Sequence, residues 1–242
     1  MTTLVACSHG TRSPDGRAEI ARIRAALAAT LPGVRVREAY VDVEQPEVAK
    51  VVEDAVAEGP VVVVPLLLST GFHTSVDIAY AVQHHPDTVA APALGPHELL
   101  VRVLRERLAE VTGGDAGHRP GDHVVLAAAG SSDPDSAAAV RRMRDLLAAR
   151  LPCPVSTGYG AGCSPSIPQA VAAARKAGAR RVIAASYVLA PGHFADLVRA
   201  AGADLTTAPL GAHPGVARVA AERYREALGR LLLAPGHVRA AS

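Results

Sequence analysis

Apolar residues fall along this chain in short blocks with two different periods. Leu4 to Cys7 is an unbroken apolar run that stops at Ser8-His9-Gly10. Behind it, Ile20, Ile23, Ala26 and Leu27 repeat at helical spacing up to about Thr30, with Asp15 as the expected N-cap. Val34–Val41 alternates as a second strand, and Pro46 is expected to open a helix that places Val48, Val51, Val52 and Val56 on one face. Val61–Leu68 is continuously apolar, as expected of a strand inside a parallel sheet covered on both faces. Ser69-Thr70-Gly71-Phe72-His73-Thr74 reads as a turn before a helix near Ser75–Gln83, followed by a short strand at Val89–Ala91 and a helix from Glu98 to about Val111. The order is βαβαβαβα.

Residues 113–121 are rich in Gly and Pro and read as a linker. After them the pattern restarts. Val124–Ala129 is a strand, and Gly130-Ser131-Ser132-Asp133-Pro134-Asp135 echoes Gly10-Thr11-Arg12-Ser13-Pro14-Asp15 at an offset of 120. At that offset Gly71-Phe72-His73 falls on Pro191-Gly192-His193, and Ala93-Leu94-Gly95-Pro96-His97 resembles Pro209-Leu210-Gly211-Ala212-His213, with His97 and His213 as helix starts. The expected fold is therefore α/β, built as two tandem duplicated flavodoxin/Rossmann-like domains. Each is a four-stranded parallel sheet flanked by helices, and the two face one another across a cleft. Residues 1–112 form the first, 113–121 the linker and 122–242 the second. The copies differ at the turn after the first strand, where His9 corresponds to Ala129, so the working site is expected in the N-terminal half.

Composition narrows the class. Hydrophobic residues make up 49% and aromatics only 3%, so Ala, Val and Leu must build the cores. Twenty-five basic residues nearly balance 23 acidic ones, without a basic block or an aromatic platform, which argues against nucleic acid as a partner. Neither a basic leader pattern nor an apolar run of membrane-spanning length is visible, so a cytoplasmic protein is expected. Cys7, Cys153 and Cys163 are too few and too scattered for a disulfide framework or a zinc ribbon.

The candidate chemistry gathers where strands end. In open α/β sheets, sites lie beyond the carboxyl edge. His9 and His73 both follow apolar strands, and neighbouring strands lie ~4.8 Å apart, so two imidazoles can share one ion. Two histidines without further protein ligands leave an open site, suited to passing a metal on. Asp42 and Glu44 follow the second strand and supply a carboxylate for acid–base work or for the metal. Ser8, Gly10 and Thr11, with Ser69, Thr70 and Gly71, can offer hydroxyls and backbone N–H groups to anions. Arg12 and Arg17 can face substrate carboxylates.

These residues resemble a known family. Ser8-His9-Gly10-Thr11-Arg12 after a strand, Asp42-Val43-Glu44-Gln45-Pro46, and Pro65-Leu66-Leu67-Leu68-Ser69-Thr70-Gly71-Phe72-His73-Thr74-Ser75-Val76-Asp77-Ile78 are similar to the class II chelatases. Among these the chain resembles the sirohydrochlorin cobalto- and ferrochelatases (CbiX/SirB-like), in their long, internally duplicated form. The resemblance implies that His9 and His73 are the metal-binding, catalytic histidines and that Asp77 supports them. A family glutamate corresponds to Asp42, with Glu44 two residues on. The substrate contacts implied are Ser8, Gly10, Arg12, Ser69, Thr70, Gly71 and His193. The implied substrates are sirohydrochlorin and a divalent metal, Fe²⁺ or Co²⁺, joined with release of two protons. No organic cofactor or nucleotide is expected, since neither GxGxxG nor GxxxxGK[ST] occurs. Duplication within one chain points to a monomer. Two rivals remain at this stage. One is a two-lobed metal or tetrapyrrole carrier without turnover. The other is a histidine phosphatase, which needs an Arg before its histidine where this chain has Ser8.

Overall fold

A computed structural model describes residues 2–69, 71–114 and 117–233, with the backbone alone at 72, 73 and 75. The elements run β1 (Thr3–Ser8), α1 (Pro14–Ala29), β2 (Arg35–Tyr40), α2 (Val48–Val56), β3 (Val61–Pro65), α3 (Phe72–Gln83), β4 (Thr88–Ala90) and α4 (Glu98–Thr112). The second half repeats them as β5 (Asp122–Ala128), α5 (Pro134–Ala148), β6 (Val155–Tyr159), α6 (Ile167–Lys176), β7 (Arg181–Tyr187), α7 (His193–Arg199), β8 (Leu205–Thr206) and α8 (Pro214–Leu233). Two parallel sheets result, ordered β2-β1-β3-β4 and β6-β5-β7-β8. The expected α/β class and duplicated sheets are what the chain forms.

Several element ends differ from the sequence expectation, each for a local reason. Ser13, not Asp15, caps α1: its Oγ accepts from Gly16 N at 3.2 Å, and Pro14 takes the first helical position. Pro46 does not open α2. Its carbonyl instead accepts from Tyr40 N at 3.0 Å, continuing the β2 edge, and the helix starts at Val48. Helix α3 begins at Phe72, three residues earlier than its apolar period suggested, because Gly71 N donates to Thr74 Oγ1 at 2.9 Å and closes the first turn.

The layers follow from which side chains each strand sends to each face. Val5, Cys7, Val61 and Val63 pack against α2 and α3, while Leu4, Ala6, Val62 and Val64 point the other way. In the second sheet Val125, Ala127, Val182 and Ala184 face α6 and α7. Between the sheets lie α1, α8, α4 and α5, whose Ile23, Leu27, Val101, Leu104, Val140, Met143, Val216 and Val219 belong to one continuous apolar core.

Helices α4 and α8 are exchanged. Helix α4 packs on α5, β7 and β8, and α8 packs on α1, β3 and β4, so each half's last helix covers the other half's sheet. Matching polar ties fasten the exchange. Arg223 Nε donates to Ala93 O at 3.1 Å and Arg107 Nη2 to Leu210 O at 3.0 Å. His97 Nε2 lies 3.1 Å from Glu222, and His213 Nε2 lies 2.8 Å from Glu106. The two histidines also take up N–H groups at the starts of α4 and α8: His97 Nδ1 accepts from Leu99 N and His213 Nδ1 from Gly215 N.

The carboxyl edges of the two sheets meet. A Cβ at Gly16 would stand 2.7 Å from Pro191 O, and one at Gly71 would stand 2.9 Å from Ser131 Oγ. Ser69 Oγ and Ser136 Oγ are 3.0 Å apart. The turn after β1 is thus wedged against the turn after β7, and the turn after β5 against the turn after β3. Among the described residues no helix is long and apolar enough to cross a membrane.

Candidate functional site

Strand β1 lies between β2 and β3, so the residue after its end is placed at the middle of the sheet's carboxyl edge. That residue is His9, which is exposed. The β1–β2 pairing runs on past both strands: Val41 N donates to Ser8 O and Asp42 N to His9 O, both at 2.9 Å. Gly10 makes this approach possible. Its φ is +96°, and a Cβ there would stand 2.0 Å from Asp42 O. The turn 8–12 and the loop 41–46 therefore behave as one unit, with His9 beside Asp42.

The two carboxylates of that loop differ in their engagement. Asp42 is exposed, and its Oδ1 accepts from Val43 N at 2.7 Å. Glu44 turns inward: Oε1 accepts from Thr11 N at 2.8 Å, and Oε2 lies 3.1 Å from Arg17 Nε, leaving the side chain 13% exposed. Arg17 Nε also donates to Thr11 O at 2.9 Å, so Arg17 is tied to the turn although half of its side chain stays exposed. Arg12 is exposed in the same turn.

On the other flank, Leu66 N donates to Cys7 O at 2.7 Å, and the chain then reaches Ser69, whose hydroxyl is turned to Ser136 of the second half. Thr70 lies outside the described residues. Gly71 is the N-cap of α3 and His73 the second residue of that helix. Because β3 is hydrogen-bonded to β1, the first turn of α3 rises from the same sheet edge as His9. One turn further along α3, Asp77 is exposed. Its carboxylate acts on Cys7, whose thiol is pushed up to about 12, chiefly by burial and further by Asp77. Cys7 is thus an inert wall residue two positions before His9. The described residues contain no set of three His, Cys, Asp or Glu side chains placed to hold a metal; the His73 side chain lies outside that set.

Strand register revises the comparison of the two halves. Thr3 pairs with Val61 and His123 with Val182, so β7 matches β3 at an offset of 121 while β5 matches β1 at 120. The N-cap glycines agree, Gly71 for α3 and Gly192 for α7. The counterpart of His73 is therefore Phe194 and not His193, and the second half has no histidine at either matching position. The sequence comparison erred because it aligned one histidine with another across a one-residue insertion. His193 is exposed at the start of α7, its ring 5.3 Å from that of Phe194, and it belongs to the second half's own edge. In the loop after β6, offset by 119, Val43 corresponds to Gly162 and Glu44 to Cys163. Cys163 repeats the bracing role in part, its Sγ standing 2.7 Å from Ser131 O. In the sequence Val43 stands only as part of the Asp42–Pro46 motif, with no role of its own, although its glycine counterpart was a readable signal.

A family model described as CbiX matches residues 3–111 and again 123–227, one match to each half. A sirohydrochlorin cobaltochelatase of Priestia megaterium is 27% identical over 205 residues, covering 79% of this chain and 65% of the relative, so the match falls short of two thirds of that protein. A sirohydrochlorin cobaltochelatase of Methanococcoides burtonii is 26% identical over 124 residues, covering 45% of this chain and 95% of its own. Among solved structures, SirB from Bacillus subtilis with Fe³⁺ superposes with a TM-score of 0.75 at 22% identity, covering 93% of this chain and 94% of that one. That likeness concerns the fold.

Proposed function

The chain belongs to the CbiX family, and from that premise we propose that it is a sirohydrochlorin chelatase that inserts Fe²⁺ or Co²⁺ into the tetrapyrrole and releases two protons. The observation that carries this reading is the edge arrangement in the first half. His9 ends the central strand, Asp42 is hydrogen-bonded beside it, and α3 brings His73 from the neighbouring strand. The second half has Ala129 and Phe194 at the two histidine positions.

In this reading the metal is a substrate, held briefly by the neutral imidazoles of His9 and His73. Few protein ligands leave coordination positions open for the pyrrole nitrogens. Insertion displaces two pyrrole protons, and a neutral imidazole is a fitting acceptor. Asp42 is the carboxylate better placed to draw protons away, because it is exposed and adjoins His9, whereas Glu44 is engaged by Thr11 and Arg17. Asp77 supports the site from α3. Gly10, Arg12 and Gly71 line the edge where the carboxylate-rich macrocycle would lie, whereas Ser8, expected among the substrate contacts, is buried as the last residue of β1. The exchange of α4 and α8 within one chain supports a monomer.

The test is to incubate the purified protein with sirohydrochlorin and either Fe²⁺ or Co²⁺ and follow the absorbance change. His9→Ala and His73→Ala should each lower the insertion rate at least a hundredfold. Tight binding without turnover would point to a carrier, and undiminished insertion by both variants would remove the histidines from the mechanism. The ratio of the two metal rates decides the preferred ion, because imidazole and carboxylate serve both metals.

A further inference from the structure

Val43 has a backbone conformation that its side chain disfavours. Its φ is +64°, and it is the only non-glycine residue in the left-handed region among the described residues. A β-branched side chain crowds its own backbone there, so such a residue is an outlier that persists only where its surroundings impose it. The second half shows the unstrained solution to the same turn: Gly162 has φ +69° at the matching position. Strain of this kind accumulates where a site needs it.

Nothing in the fold asks for the valine side chain. It is 43% exposed and belongs to none of the three apolar cores. The loop is held by other groups: Glu44 N donates to Asp42 O at 2.7 Å, Glu44 Oε1 accepts from Thr11 N, and Pro46 O accepts from Tyr40 N. A glycine would keep every one of these bonds. The isopropyl group therefore stands as an apolar tip between two acids, one residue from the Asp42 that is bonded to His9.

We infer that Val43 is a substrate-contact residue, its strained backbone holding an apolar tip against the face of the flat macrocycle beside His9. This inference rests on the chelatase reading, since it takes sirohydrochlorin as the ligand. A tetrapyrrole has an apolar face and a rim of carboxylates. An apolar tip beside Asp42 receives the face, while the exposed Asp42 carboxylate repels the rim and so opposes edge-on binding.

Two variants test it. Val43→Gly removes the tip and the strain together, whereas Val43→Ala trims the tip and keeps the strained φ. Metal-free sirohydrochlorin binding is followed by absorbance, alongside thermal melting and the KM for sirohydrochlorin. Val43→Gly should melt a few degrees higher than the parent protein yet bind the macrocycle about tenfold more weakly, as expected for losing one buried valine contact. Val43→Ala should bind more weakly with a smaller gain in melting temperature than Val43→Gly, since it loses the β-branch but keeps a Cβ at positive φ. Unchanged binding and KM in Val43→Gly would overturn the inference, and so would a lower melting temperature, which would make Val43 a structural residue. If the parent protein binds no sirohydrochlorin, the chelatase reading fails. If it binds and inserts metal while Val43→Gly is unaltered, only the role of Val43 fails.

Discussion

Asp42 and Glu44 stand two residues apart in one loop, and their sequence context does not separate them. What separates them is a backbone amide 33 positions away: Thr11 N donates to Glu44 and draws it inward, while Asp42 stays exposed at the surface. We therefore expect Asp42→Asn to slow metal insertion roughly a hundredfold, within the range of a positioned proton acceptor, with melting unchanged. Glu44→Gln should keep the bond to Thr11 and lose the pairing with Arg17, which is half exposed and so worth little. Its insertion rate should stay within about twofold. Glu44→Ala should cost about 1 kcal/mol in urea denaturation through the lost bond to Thr11. If Glu44→Gln slows insertion as much as Asp42→Asn, the proton role passes to Glu44. His9 stands out in the sequence because its repeat partner is Ala129. The strain at Val43 was legible only through its glycine counterpart Gly162, because φ is set by loop contacts rather than by apolar period.

At the level of elements, the strands, helices and duplication were readable, since buried parallel strands and amphipathic helices print different periods. Their ends were less so. A single threonine hydroxyl advances the start of α3, and a proline carbonyl that serves the sheet delays α2. The two turns after β1 and β5 make a paired experiment possible. Gly10 and Gly130 have φ of +96° and +83°, and in each a Cβ would stand 2.0 Å from the carbonyl of the loop after the neighbouring strand. Gly10→Ala and Gly130→Ala should each lower the melting temperature by a comparable amount, about 2 kcal/mol or more of stability. Only Gly10→Ala moves Asp42 away from His9, so only it should also impair insertion. Equal losses of activity in both variants would mean that the second half's edge takes part in the chemistry.

Across the whole molecule, the sequence repeat and the packing unit do not coincide. Each repeat ends in a helix that covers the other repeat's sheet, a relation invisible to internal comparison because both copies print the same apolar pattern. A fragment of residues 1–121 would therefore lack α8, which covers β3, β4 and α1, and would expose the face carrying Val62 and Val64. It should self-associate, with α4 of each copy laid on the other's sheet, and light scattering coupled to size-exclusion chromatography should report a dimer or larger species. A folded, monomeric fragment would contradict the exchange. The same exchange bears on what divergence can do after a duplication. The second copy can do without histidines at these positions, as Ala129 and Phe194 show, while its helix remains indispensable to the first copy's core. Chemistry can decay in one half without that half becoming disposable, so natural selection can erode the second site yet cannot readily delete the domain that held it.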